Sequence, residues 1–530
     1  MVARTRFQNS VQDDSGGSSR NGRGVKIEMK AQAGKKTFST DSSVGRWTII
    51  GGIMIGAGVL GIAVVTGGGS SGSQTLALGS AALIVLAGIA GITLKLPLIT
   101  LVRWAFIASF FFKGEINFYK INEIEDPSGF NISLTLMTAL ILLIYDRFTE
   151  SATAAEKIFP AAFSFLTLSL FGCAAISVFY GGSATLGWFS LWSFATSVLI
   201  AFVIASHFSR RDRLVQLVIG IAIGLLFTGL VALSQYAFDF PTDAAFLGTG
   251  TEDELLGTQS IALSRVPAFL RTPTEMAWVV STLLPLVVAP VICRVKNVVS
   301  RQNLILLAGA FSGIVAVILS LARGSWISLL AAVTTIVLLG WLRLSKTERK
   351  NYLVTVAGGL ILSGLFLSPF AVKIYDRLTL DDQGSALIRV PLMETAVRMI
   401  QGNPLVGVGL NEYRTAMTKY DETGIFVSQI FPNPVHNVFA HITAEIGIPG
   451  GLIFCLLFIA ALIECWRSMT APDRLLSALA LGCAAGIIAF VISAMKEPGS
   501  LGSTRPPLRT CFFLFGTILA VSRIRRRLLY

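Results

Sequence analysis

Apolar runs of about 15 to 30 residues, broken by short polar or basic stretches, occupy most of the chain beyond residue 46. Runs of this length predict transmembrane helices, since about 20 apolar residues cross the hydrocarbon core of a bilayer. The expected spans lie at about 47–66, 75–94, 96–112, 131–145, 159–179, 185–206, 214–236, 275–293, 303–322, 326–343, 351–369, 436–465, 474–494 and 507–522. The predicted fold is an all-α polytopic transmembrane helix bundle of about 14 spans (range 12–14). The run at 96–112 is interrupted by Arg103, which is expected to be paired or snorkelling.

The polar stretches set the orientation. The connections "HFSRRDR", "CRVKNVVSRQN", "RLSKTERK" and "ECWRSMTAPDR" are basic and are expected on the cytoplasmic side. Counting spans between them places all four on one side, and an even total brings both basic termini there as well. Two longer loops, 237–274 and 370–434, and the short turn "LARGS" then fall on the far side. Within 370–434, Leu392, Ala396, Met399 and Ile400 recur at helical spacing, Glu394 and Arg398 form an i, i+4 pair, and Gly402 and Pro404 mark the end. This predicts an amphipathic helix lying on the membrane surface. The run "GGGSSGSQ" at 67–74 reads as a linker.

Composition agrees with a membrane protein: 53% hydrophobic residues, 14% charged, mean hydropathy +0.71. Residues 1–46, rich in Ser, Gly and charge, are expected to be a disordered basic cytoplasmic tail preceding a membrane domain over 47–530. No cleavable leader is expected, because the first apolar run starts near Trp47. The net charge of +13 is concentrated at the two ends, with nine Lys/Arg against four Asp/Glu in residues 1–46 and four arginines in "SRIRRRLLY". Beside membrane spans this asymmetry reads as positive-inside bias rather than as nucleic-acid binding. The six cysteines lie in or beside apolar runs without metal-ligand spacing, so neither a disulfide framework nor a metal site is expected.

Candidate chemistry collects on the far side. Two of the three histidines lie in "NPVHNVFAHITAEIGIPGG", where a polar loop meets a span. At about 100° per residue His441 and Glu445 share a helix face, while His436 points about 140° from His441. The bland reading of His441 and Glu445 is a hydrogen-bonded pair that locks helix packing. His436, between Pro434 and Asn437, is either an interfacial histidine or a base near neutral pH. Arg265, Arg271, Arg323, Arg377 and Arg389 are also on the far side, where arginine is less common. Each alone is expected to pair with a nearby acid (Asp376, Asp381, Asp382 or Glu275). Together with His436 they suggest a phosphate site, because guanidinium forks fit phosphate bidentately.

Three stretches resemble the O-antigen ligase and polymerase superfamily, bacterial membrane glycosyltransferases of the GT-C type. "SLARGSWISLL" (320–330) is similar to the family's "SRGAW" segment. "IRVPLMETAVRMIQGNPLVGVGLNEY" (388–413) is similar to its loop helix and "NPLxGxGxxxF". "HNVFAHITAEIGIPGGLIF" (436–454) is similar to its "HNxxLxxxxExGxxG". "RTPTEMAWVVSTLLPL" (271–286) matches more loosely, without the family's usual Asn after the proline. The resemblance covers about 260–470 and includes the loop 370–434 as a periplasmic loop. It implies transfer of a glycan from an undecaprenyl-diphosphate carrier to a sugar hydroxyl, on a growing glycan or on lipid A–core, at the periplasmic face of the bacterial inner membrane. No metal or cofactor is implied. Carried over, His436, Arg389 and Arg271 are the candidate catalytic residues. Arg265, Arg323, Arg377, Asn437 and Glu445 are candidates for binding the diphosphate or glycan.

The alternative is a transporter or flippase of a lipid-linked or anionic substrate. That reading calls for inverted repeats and polar breaks near mid-membrane. The chain shows no clear repeat, and its ionisable residues gather at one interface. A receptor or structural membrane protein would need no phosphate site. Ligase and polymerase are not separated by the sequence.

Overall fold

A computed structural model describes residues 97–111, 115–118, 127, 129–149, 160–238, 265–270, 272–293, 300–343, 346–379, 385–503 and 506–529. The tail 1–46, the spans expected at 47–66 and 75–94, the linker 67–74 and Arg271 lie outside the described residues.

The chain is built from α1 (Leu98–Ala108), strands β1 (Glu115–Phe118) and β2 (Phe130–Ser133), α2 (Leu134–Thr149), α3 (Ala161–Val178), α4 (Ala184–His207) and α5 (Arg211–Phe238). There follow α6 (Pro273–Leu283), α7 (Pro285–Ile292), α8 (Ser300–Leu319), α9 (Arg323–Arg343) and α10 (Lys346–Leu367). After a 3-10 turn come α11 (Ala371–Thr379), α12 (Ser385–Gly402), α13 (Tyr413–Tyr420), α14 (Val427–Ile430), α15 (Val438–Ser468), α16 (Arg474–Ala494) and α17 (Pro506–Leu529). Among the described residues nine helical segments are long and apolar enough to cross a membrane, with α6 and α7 counted as one. A tenth candidate is the bent pair Tyr352–Leu365 and Ser368–Thr379, which turns by 46°. The fold is therefore an all-α polytopic membrane bundle, as the apolar pattern predicts.

Three local differences have physical reasons. The run expected at 96–112 forms only the 11-residue α1, about 16 Å long, roughly half the hydrocarbon thickness. The start of the run expected at 131–145 is a strand, and β2 pairs antiparallel with β1, Phe118 opposite Phe130. Asn131 and Ser133, buried polar residues, lie in this ribbon. Finally, the stripe Leu392, Ala396 and Met399 is buried against protein rather than lipid. These residues share a small second core with Tyr413, Met417, Val427, Val435 and Ala444. Two helices of this loop carry exposed apolar side chains: α11 with Val372, Tyr375 and Leu378 along one side, and α12 with Leu387, Val390 and Val397 on the side opposite its buried stripe.

The bundle packs through close backbone approach. α5 runs against α8, where a Cβ on Gly309 would stand 2.3 Å from the Ala222 carbonyl oxygen. Small residues do this work in membranes, where apolar burial between helices contributes little. Two of the basic connections, 207–213 and 464–474, meet the C-terminal arginines at one end of the bundle: Arg211 pairs with Asp473 at 2.8 Å, Arg527 donates to the Ser209 carbonyl and Arg525 to the Arg467 carbonyl. Arg103 is paired there. Its Nε donates to His207 Nε2 at 2.8 Å, and His207 Nδ1 lies 2.7 Å from Asp146. An arginine donating to Nε2 leaves the ring proton on Nδ1, directed at the carboxylate.

Candidate functional site

The opposite end of the bundle holds the chemistry, and it is organised around a break in α15. Asn437 starts that helix as its N-cap, its Oδ1 accepting from the backbone N–H of Phe439 and Ala440 at 3.0 and 3.1 Å. Asn437→Ala is expected to destabilise the protein by about 1 kcal/mol, read as a lowered thermal midpoint in detergent. Ten residues on, Gly447 (φ 77°, ψ 171°) interrupts the helix ahead of Pro449.

A break frees backbone groups that must be satisfied inside a membrane. The segment 404–409 satisfies them. Val408 N–H donates to the Ala444 carbonyl, Gly409 N–H to the Glu445 carbonyl, and Ile448 N–H to the Pro404 carbonyl, at 2.9, 3.2 and 2.8 Å. Ser177 Oγ adds a second bond to the Glu445 carbonyl at 2.6 Å. The approach is so close that a Cβ on Gly407 would stand 2.2 Å from that same oxygen. The stretch "NPLVGVG" is thus a clamp on "AEIGIPG". Its continuation holds the neighbouring turn: Glu412 accepts from the Ser183 N–H, and Asn411 Nδ2 donates to the carbonyls of Pro127 and Leu186.

His441 and Glu445 form the hydrogen-bonded pair anticipated from their spacing, at 3.2 Å. Both are buried. The other carboxylate oxygen of Glu445 accepts from Ser500 Oγ at 2.7 Å, and the Tyr413 ring packs edge-on to His441 at 4.6 Å. Burial pushes the Tyr413 phenol well above its ordinary range. These contacts give Glu445, and Asn437 as a cap, positions inside the scaffold of the site. His436 is half-buried, one residue before the cap and near the ring of Phe431 (6.1 Å). The loop leading to it is held by Asp421. Partial burial pushes that carboxyl up, but hydrogen bonds from Ser428 and Thr423 outweigh it and hold it at about 2.

The arginines surround the turn between α8 and α9. Leu321 adopts a left-handed conformation (φ 53°). Arg265 Nε donates to the Ser320 carbonyl and Arg377 Nε to the Leu321 carbonyl, each at 3.1 Å. Arg265 also reaches Thr274 Oγ1. Arg323 opens α9 immediately after. Three of the arginines singled out by sequence therefore meet at one corner, two of them also fixing its backbone. Arg389 is exposed on α12, near Lys496. Thr272 caps α6 by accepting from the Glu275 N–H, with Pro273 in the first turn.

Sequence reasoning missed the connection "KEPGS" (496–500). Lys496 lies over Gly324, Gly499 against Val438, and Ser500 on Glu445. A far-side lysine was the available signal, given the positive-inside bias.

Fold and site together define a polytopic helical membrane protein with a cationic corner at the end of the bundle away from its basic connections. Residues 308–455 match the family model described as O-antigen ligase, which supports an O-antigen ligase/polymerase-like family for this chain and a glycan-transferring membrane enzyme. A search of curated proteins finds no match.

Proposed function

We propose that the protein transfers a glycan from an undecaprenyl-diphosphate carrier to a sugar hydroxyl, at the periplasmic face of the bacterial inner membrane. The observation that carries the reading is the O-antigen ligase match over 308–455, which encloses Arg323, Arg377, Arg389, His436 and Glu445. Transfer breaks the bond between the anomeric carbon and the diphosphate. The acceptor oxygen attacks that carbon and loses its proton, and the diphosphate leaves with both electrons of the broken bond. His436 is suited to take the proton or to orient the hydroxyl. Arg389 and Arg271, with Arg265, Arg323 and Arg377, are suited to stabilise the charge growing on the leaving diphosphate.

The test is release of free undecaprenyl diphosphate from a labelled lipid-linked glycan by the purified protein, with lipopolysaccharide and lipid-linked oligosaccharides as acceptors. Release that depends on acceptor supports glycosyl transfer, and the product size then separates ligase from polymerase. Absence of release under conditions in which the lipid binds favours the transporter reading.

A further inference from the structure

We infer that Lys496, on the connection between α16 and α17, is a further donor-binding residue that works with Arg389 as a two-cation seat for the diphosphate group. The inference rests on the glycosyl-transfer reading above and adds to it a residue outside the segment matched to the family.

The two cations reach the corner from distant parts of the chain. Lys496 lies just beyond the last turn of α16, and its side chain crosses the start of α9. A Cβ built on Gly324 would stand 3.1 Å from Lys496 Cδ and 4.0 Å from Nζ. The missing side chain at Gly324 is what leaves room for the lysine beside Arg323. Arg389 comes from α12, close enough for its charge to act on the ammonium. Among the described residues, no carboxylate lies within ion-pair distance of Lys496 or Arg389.

Burial lowers the Lys496 pKa from the ordinary lysine value, and the positive charge of Arg389 lowers it further. Attraction to the neighbouring Glu497 does not restore it. Two like charges held together store a repulsion that a bound dianion relieves. A diphosphate suits the pair, the guanidinium fork taking one set of oxygens and the ammonium acting as a point charge on the other.

The seat is also fixed relative to the candidate base. Gly499 lies against Val438, where an added Cβ would be 3.2 Å from Cγ2, and Ser500 is bonded to Glu445. Lys496 is thereby tied through four residues of chain to the first turns of α15, at whose start His436 stands. That places a cation where the leaving group's charge would develop, on the same scaffold as the group that handles the acceptor proton.

The experiment measures binding of farnesyl diphosphate, with farnesyl monophosphate and inorganic pyrophosphate as comparison ligands, to the full-length protein in nanodiscs. Wild type, Lys496→Ala and Lys496→Arg are compared at equal monodispersity. Lys496→Ala is expected to weaken farnesyl diphosphate binding about 10-fold or more, with a smaller loss for the monophosphate, and Lys496→Arg to keep most of the affinity. Pyrophosphate is expected to displace the probe from wild type more effectively than from Lys496→Ala, which distinguishes a contact to phosphate from one to the prenyl chain. The ammonium is charged below its lowered pKa and loses that charge as pH rises. Wild-type affinity should therefore fall on the alkaline side before that of Lys496→Arg, with Arg389, Arg323 and Glu497 the other charged groups at the corner. Equal binding by wild type and Lys496→Ala, within twofold, overturns the inference. If that equality accompanies wild-type release of undecaprenyl diphosphate, glycosyl transfer stands and Lys496 alone is excluded. If Lys496→Ala loses diphosphate binding while wild type never turns over a lipid-linked glycan, the seat stands and the glycosyl-transfer reading falls.

Discussion

Replacing His436 by alanine is expected to cut turnover of a lipid-linked glycan by about 100- to 10,000-fold, the range typical of losing a general acid–base group. Donor binding should change little, because the cations at the corner come from other segments: Arg265 before α6, Arg323 on α9, Arg377 on α11 and Arg389 on α12. The fold should survive, because the start of α15 is set by the Asn437 cap and by the His441–Glu445–Ser500 contacts. The measurement is a single-turnover rate at saturating donor, beside the thermal midpoint of each variant. A rate within threefold of wild type, at an equal midpoint, would return His436 to an interfacial packing role.

The second large effect is structural. Gly447→Ala is expected to destabilise the protein by more than about 3 kcal/mol and to reduce its abundance in the membrane. The backbone there, at φ 77° and ψ 171°, belongs to a region almost restricted to glycine. An added Cβ would lie 2.3 Å from the Leu405 carbonyl oxygen and 2.5 Å from its carbon. Relief would require the 404–409 clamp to move, exposing the carbonyls of Ala444 and Glu445 and the N–H of Ile448. Gly358→Ala, on α10 with nothing within 4 Å of the added carbon, is the matched control and should leave the midpoint unchanged or slightly higher. Equal midpoints for the two variants would remove the clamp from the account.

Spans α3 to α9 and α15 to α17 were legible because long apolar runs have few other uses. Arg103 was legible as paired, but not its partners, since the His207–Asp146 chain is assembled across α1, α2 and α4. The stripe on α12 was identified residue by residue while its partner was misassigned: spacing shows that a face is apolar, not whether lipid or protein covers it. The glycines at 407, 409 and 447 were visible, yet their purpose depends on a pairing between segments about 40 residues apart. Of the candidate site, the arginines and His436 stood out through the cost of charge beside apolar spans. The convergence of Arg265, Arg323 and Arg377 on the Ser320–Leu321 turn is tertiary. Lys496 passed unnoticed because one lysine in the eleven-residue connection between α16 and α17 carries no pattern until Gly324 and Arg389 are seen beside it.

The most direct measurement of the central claim uses sealed proteoliposomes carrying a lipid-linked glycan labelled in both the sugar and the lipid, with acceptor supplied outside. The account predicts that the two labels separate in equal amounts, the sugar appearing covalently on the acceptor and the lipid as free undecaprenyl diphosphate. Movement of the intact doubly labelled donor between leaflets, with no separation of the labels, would contradict it and identify a transporter.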